Sequence, residues 1–159
     1  MNLAIFSPDG KYILTASLDS TAKLWDLQGK LIADLKGHTD EVNSAIFSPD
    51  GKFILTCSDD KAAKLWDLQG KLIADLKGHT DEVNSAISSP DVQKLLGNST
   101  SEPEAISNRE SPAIFSPDGK SILTRSYDKT AKLWDLQGKL IADLKGHTDE
   151  VTSAIFSPD

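Results

Sequence analysis

The chain has 159 residues, 38 % of them hydrophobic and 26 % charged, a net charge of −7 and a pI near 4.9, which describes a globular chain rather than a disordered one. Lys and Arg do not cluster, which argues against phosphate-backbone binding as the main activity, and the single Cys57 excludes an internal disulfide framework. No signal-peptide pattern is visible and no apolar run approaches the roughly 20 residues needed to span a bilayer, so the expected setting is cytoplasmic, away from nucleic acid and membrane.

Taken in order, the chain begins partway through an apolar strand and then enters Thr21 to Asp50, the stretch around which everything else is organised. That stretch returns as Ala62 to Asp91 with two changes and as Thr130 to Asp159 with one. Trp25 and Trp66, like His38 and His79, are 41 residues apart, whereas Trp66 and Trp134 are 68 apart, 27 more than the period. Repetition at 20–50 residues signals stacked supersecondary units.

Within a unit the segments are short and punctuated. Val42 to Ser48 runs into Pro49-Asp50-Gly51, Phe53 to Ser58 into Asp59-Asp60-Lys61, Ala62 to Leu68 into Gln69-Gly70, and Leu72 to Lys77 into Gly78-His79. Four strands of about six residues at this spacing predict consecutive antiparallel hairpins. FILTCS is apolar almost throughout, as for a strand buried on both faces, while LIADLK alternates, as for a half-wet outer strand. Such a meander must stack on copies of itself.

From Ile87 to Ala113 the pattern fails: Ser88 replaces a core phenylalanine, Val92 a turn glycine, and no Trp-Asp or Gly-His occurs. This stretch reads either as a decayed unit or as an irregular linker. Asn98-Ser99-Thr100 matches a glycosylation acceptor by chance. A final leftover inner strand is expected at Val151 to Phe156.

With Gly37-His38, Gly78-His79 and Gly146-His147, and Trp25-Asp26, Trp66-Asp67 and Trp134-Asp135, on a period of 41, the sequence resembles the WD40-repeat family. The near-identity of the copies is similar to bacterial arrays. The resemblance implies an all-β fold of four-stranded blades in a partial or small β-propeller, about three blades intact and one decayed. Residues 1–91 would hold two blades and the inner strand of a third, 92–112 the decayed blade or linker, and 113–159 a blade plus the inner strand of another.

The resemblance also implies a buried network of His38, Thr56, Asp60 and Trp66 in the second blade. The first blade has Thr15, Asp19 and Trp25 but no histidine. The last has Thr124, Asp128 and Trp134, with Ile106 falling where its histidine should be, so one complete network is expected. His38 with Asp40 and Glu41 as a metal site, and Thr56 with His38 and Asp60 as a nucleophilic triad, are both weaker readings than this network. Ser-Pro pairs at Ser7, Ser48, Ser116 and Ser157 are explained by turn chemistry. No catalytic set, cofactor or metal is expected.

The near-identical copies differ mainly at Ala16/Cys57/Arg125, Leu18/Asp59/Tyr127 and Ser20/Lys61/Lys129, at the end of the second strand and the turn after it. Alternate turns of a meander share a rim, and family resemblance implies that this rim binds partners. It comprises Leu18, Asp59 and Tyr127 with Glu41, Asn43, Glu82, Asn84, Glu150 and Thr152. The expected function is a non-catalytic protein–protein interaction scaffold, part of a larger propeller or self-associating to complete a ring. The alternative is an eroded array without an independent role.

Overall fold

A computed structural model describes residues 3–83, 113–151 and 154–157. It is all-β, with three four-stranded antiparallel sheets, each a simple meander. The first blade comprises β1 (Leu3–Phe6), β2 (Tyr12–Ala16), β3 (Thr21–Asp26) and β4 (Leu31–Lys36). The second comprises β5 (Val42–Phe47), β6 (Phe53–Ser58), β7 (Ala62–Asp67) and β8 (Leu72–Lys77). The third comprises β9 (Ala113–Phe115), β10 (Ser121–Arg125), β11 (Ala131–Asp135) and β12 (Leu140–Leu144).

The turns are chemically determined. In the first inter-strand turn of each blade, a serine hydroxyl donates to the aspartate two residues on: Ser7 to Asp9 at 2.7 Å, Ser48 to Asp50 at 2.7 Å, Ser116 to Asp118 at 2.6 Å. The same oxygen accepts the N–H that opens the next strand, as Ser48 does from Phe53 at 2.9 Å. These hydroxyls are therefore consumed by Asx-type turn chemistry.

Side chains alternate across each sheet, and the second blade shows what each face does. Phe47, Ile54 and Trp66 pack on Leu14, Leu24 and Leu35 of the first blade. From the opposite face Leu55, Cys57, Leu65 and Leu76 pack on Phe115, Ile122 and Trp134 of the third. The middle strands β6 and β7 are accordingly buried on both sides, and the outer strand β8 buries only Ala74 and Leu76.

The second and third blades thus touch directly. Val83 stands where the inner strand of the third blade begins, donating its N–H to the Ser58 carbonyl at 3.2 Å, as Val42 does to Ser17 at 3.1 Å. Its continuation among the described residues is Ala113–Phe115. The decayed-unit or linker reading of 92–112 concerns residues outside the described ones.

Candidate functional site

At the first joint the Trp66 indole N–H donates to Thr56 Oγ1 at 2.9 Å. The Thr56 hydroxyl lies 2.8 Å from His38 Nε2, and His38 Nδ1 lies 2.8 Å from Asp60 Oδ2. The order indole, hydroxyl, imidazole, carboxylate lets the first three groups each donate once, with the carboxylate as the final acceptor. Asp60 also accepts the Thr39 N–H at 3.0 Å and the Ala62 N–H at 3.1 Å. The carboxylate thereby pins the loop leaving the first blade to the turn of the second.

Geometrically Asp60, His38 and Thr56 form a triad, but Thr56 is fully buried and both imidazole nitrogens are engaged. A hydroxyl sealed beneath an indole cannot meet a substrate. The arrangement is a fastener.

A second network exists. His79 Nε2 lies 2.8 Å from Thr124 Oγ1, His79 Nδ1 lies 2.9 Å from Asp128 Oδ2, and the Trp134 indole donates to Thr124 at 2.8 Å. The expectation of one complete network, with Ile106 at the third blade's histidine position, is therefore corrected: His79 holds that position. The signal was present in sequence. The excess of 27 residues between Trp66 and Trp134 equals the separation of Ala86 from Ala113, the starts of two copies of the same strand motif.

The two networks differ electrostatically. Burial opposes ionisation of Asp128, but the Thr130 hydroxyl (2.6 Å), the Thr80 N–H and His79 outweigh it and bring its pKa down to about 2. Asp60 faces Ala62, which has no hydroxyl, and burial is likewise outweighed, by His38 and backbone N–H groups, so its pKa is lowered. Burial lowers the His79 pKa despite Asp128, favouring the neutral ring that the relay requires.

In the first blade Trp25 donates to Thr15 at 3.0 Å and Asp19 accepts from Thr21 at 2.6 Å, with no imidazole between them among the described residues. His147 is exposed.

Along the rim, Leu18 and Tyr127 are exposed. Between them Asp59 accepts from the Asn43 side chain, its backbone N–H donates to the Glu41 carbonyl at 3.1 Å, and Tyr127 N–H donates to the Glu82 carbonyl at 3.4 Å. Burial raises the Asp59 pKa, the Asn43 amide opposes this, and Glu82, Asp40 and Glu41 add to the rise. These acids therefore form one field. Glu150 is exposed on the loop after β12, whereas Asn84 and Thr152 lie outside the described residues. Arg125, at the position of Ala16 and Cys57, is buried and donates to the Val151 carbonyl at 3.1 Å.

The WD domain, G-beta repeat family (WD40) matches residues 1–26, 29–67, 110–135 and 138–159, well over half of the chain. The chain belongs to the WD40 repeat family. Domains of this family are generally non-catalytic and mediate protein–protein interactions. A stretch of 48 residues is 48 % identical to WD repeat and SOCS box-containing protein 1 of Homo sapiens, covering 28 % of this chain and 11 % of that protein. The protein of the same name from Danio rerio is 44 % identical over 48 residues, with the same coverage. The match thus spans about a tenth of these curated relatives. No helix among the described residues is long and apolar enough to cross a membrane.

Proposed function

We propose that the chain is a non-catalytic scaffold that binds other proteins through the rim bearing Leu18, Glu41, Asn43, Asp59, Glu82 and Tyr127, extended by Asn84, Glu150 and Thr152. Its three blades are read as units of one 41-residue repeat, the third carrying a 27-residue insertion. The observation that supports the rim is the coincidence of two properties. It is where near-identical repeats diverge, and it sets two exposed apolar side chains, Leu18 and Tyr127, around interacting carboxylates.

That chemistry suits an extended segment presenting an apolar anchor flanked by Lys or Arg. Acidic rim groups steer such a segment and the apolar groups hold it. A peptide array tests this, with apolar–basic peptides expected to bind in a salt-sensitive way. Tyr127→Ala and Glu82→Lys should each lose binding while circular dichroism is unchanged. Retention by both variants would remove the rim from consideration, and binding of no peptide class would favour the eroded array without a role.

A further inference from the structure

We propose that the outer faces of blades one and three are the two halves of a third joint, completed by a second copy of this chain. The evidence is a set of contacts that recurs at both internal joints and is missing at both outer faces. A Cβ placed on Gly37 would lie 3.2 Å from the Trp66 ring, and one on Gly78 3.4 Å from the Trp134 ring. The same construction puts Gly70 3.2 Å from Ala33 and Gly138 3.0 Å from Ala74. It puts Gly51 3.7 Å from Pro8 and Gly119 4.0 Å from Pro49. Gly146, Gly29 and Gly10, the three remaining members of these series, meet nothing within 4 Å among the described residues.

Burial follows the same division. Leu35 and Leu76 are 0 % exposed at the internal joints, and their counterpart Leu144 is 49 % exposed. Phe47 and Phe115 are 3 % and 1 % exposed, and their counterpart Phe6 is 67 % exposed. Blade three therefore presents Gly146, His147 and Leu144 without a receiver among the described residues. Blade one presents the receiver, Thr15, Asp19 and Trp25, without a histidine among the described residues. Asp19, whose counterparts Asp60 and Asp128 each take an imidazole and a backbone N–H on Oδ2, accepts from Thr21 through Oδ1 and meets no imidazole among the described residues.

The fit is written in the residues. Gly146 to Val151 repeats Gly37 to Val42 letter for letter, so the loop that seats His38 on blade two would seat His147 on a blade one. The two halves face opposite ways, and contacts between such surfaces run head to tail. With three blades among the described residues of each chain, two copies bring six, within the range of about 4–8 that closes a propeller, whereas three copies bring nine. Ala154 to Asp159 is identical to Ala4 to Asp9, so one position beside β2 has two interchangeable claimants. Arg125 already ties Val151 to the third blade, where Ala154 and Phe156 pack against Ile114, Leu123 and Ala131. In the pair these residues take the inner-strand position and the partner's Ala4–Phe6 is the segment spared.

Light scattering on a sizing column, over a concentration series of the full chain, reads this directly. The expected result is a limiting mass of twice the 17.2 kDa chain. His147→Asp places a carboxylate against Asp19 and should return the mass to one chain, with unchanged circular dichroism because His147 is exposed in the single chain. Asp19→Asn, which keeps a hydrogen-bonding group, should pair more weakly than the parent but more strongly than His147→Asp. A single-chain mass at every concentration would overturn the proposal, as would a two-chain mass that His147→Asp leaves intact, or growth without limit in place of a closed pair.

Discussion

His79 and Thr124 are 45 residues apart in sequence and 2.8 Å apart in space, whereas the corresponding His38 and Thr56 are 18 residues apart at the same 2.8 Å. The 27 additional residues in sequence leave the geometry of the joint unchanged. A histidine on the loop after one blade, a threonine and an aspartate on the next, and an indole above them act as a fastener that tolerates what lies between.

Deleting residues 86–112, which joins Ser85 to Ala113, restores the uninterrupted 41-residue spacing. The shortened chain should keep its three-sheet circular dichroism and unfold at the same temperature or higher, because fewer residues between Val83 and Ala113 cost less closure entropy, about 0.6 kcal/mol for each halving. Thermal denaturation of the two chains side by side checks this. A clear fall in Tm would show that the deleted residues support the fold.

Thr56→Ala strands a buried indole N–H and an imidazole nitrogen together, at an expected cost of about 2–4 kcal/mol. Thr124→Ala should cost the same, since its partners match. Thr15→Ala, on the open first blade, leaves only a half-buried indole and should cost about 1 kcal/mol or less. Urea denaturation of the three variants in a His147→Asp background reads the ranking. Equal losses at Thr15 and Thr56 would show that the histidine adds nothing.

Acid should weaken the second joint in two stages of the same sign. The folded His79 pKa is below its ordinary 6.5, so as pH falls from 6.5 the unfolded chain binds the proton first and stability is lost. The folded Asp128 pKa is about 2 against an ordinary 3.8, so its contribution is present above 3.8 and is lost as pH falls through about 2. Thr130→Ala removes the hydroxyl at 2.6 Å and should move the second loss to higher pH. Denaturant midpoints at successive pH values would show it, and a midpoint that rose on acidification would contradict the sign.

Cys57 is buried, and burial pushes its thiol pKa far up despite the nearby Arg125. Reaction with a thiol reagent should therefore be slow in the native chain and follow the rate of unfolding. Prompt labelling would mean that the joint between blades two and three is open.

The strands, their meander and the residue types of the first network are legible in sequence because they rest on local turn chemistry and a fixed period. Ser48-Pro49-Asp50-Gly51 closes its own turn, and Trp66 stands one period after Trp25. The partner of His79 is legible only through the 27-residue offset between two similar copies, Ala86-Ile87 and Ala113-Ile114, since strand patterns alone do not say which of them pairs beside β10. The choice is made by packing: Phe115 fills the face that Phe47 fills one blade earlier, and Ser88 offers no such side chain. The open outer faces are likewise a property of the assembled sheets, invisible along a repeat whose letters do not change.

The three indole N–H groups report all of this at once. In the His147→Asp chain, with the outer joint disabled, hydrogen exchange followed by NMR should find Trp66 and Trp134 protected to the level of global unfolding and Trp25 exchanging orders of magnitude faster. Trp134 exchanging as fast as Trp25 would mean that His79 is not seated on Thr124, and would contradict the direct joining of the second and third blades.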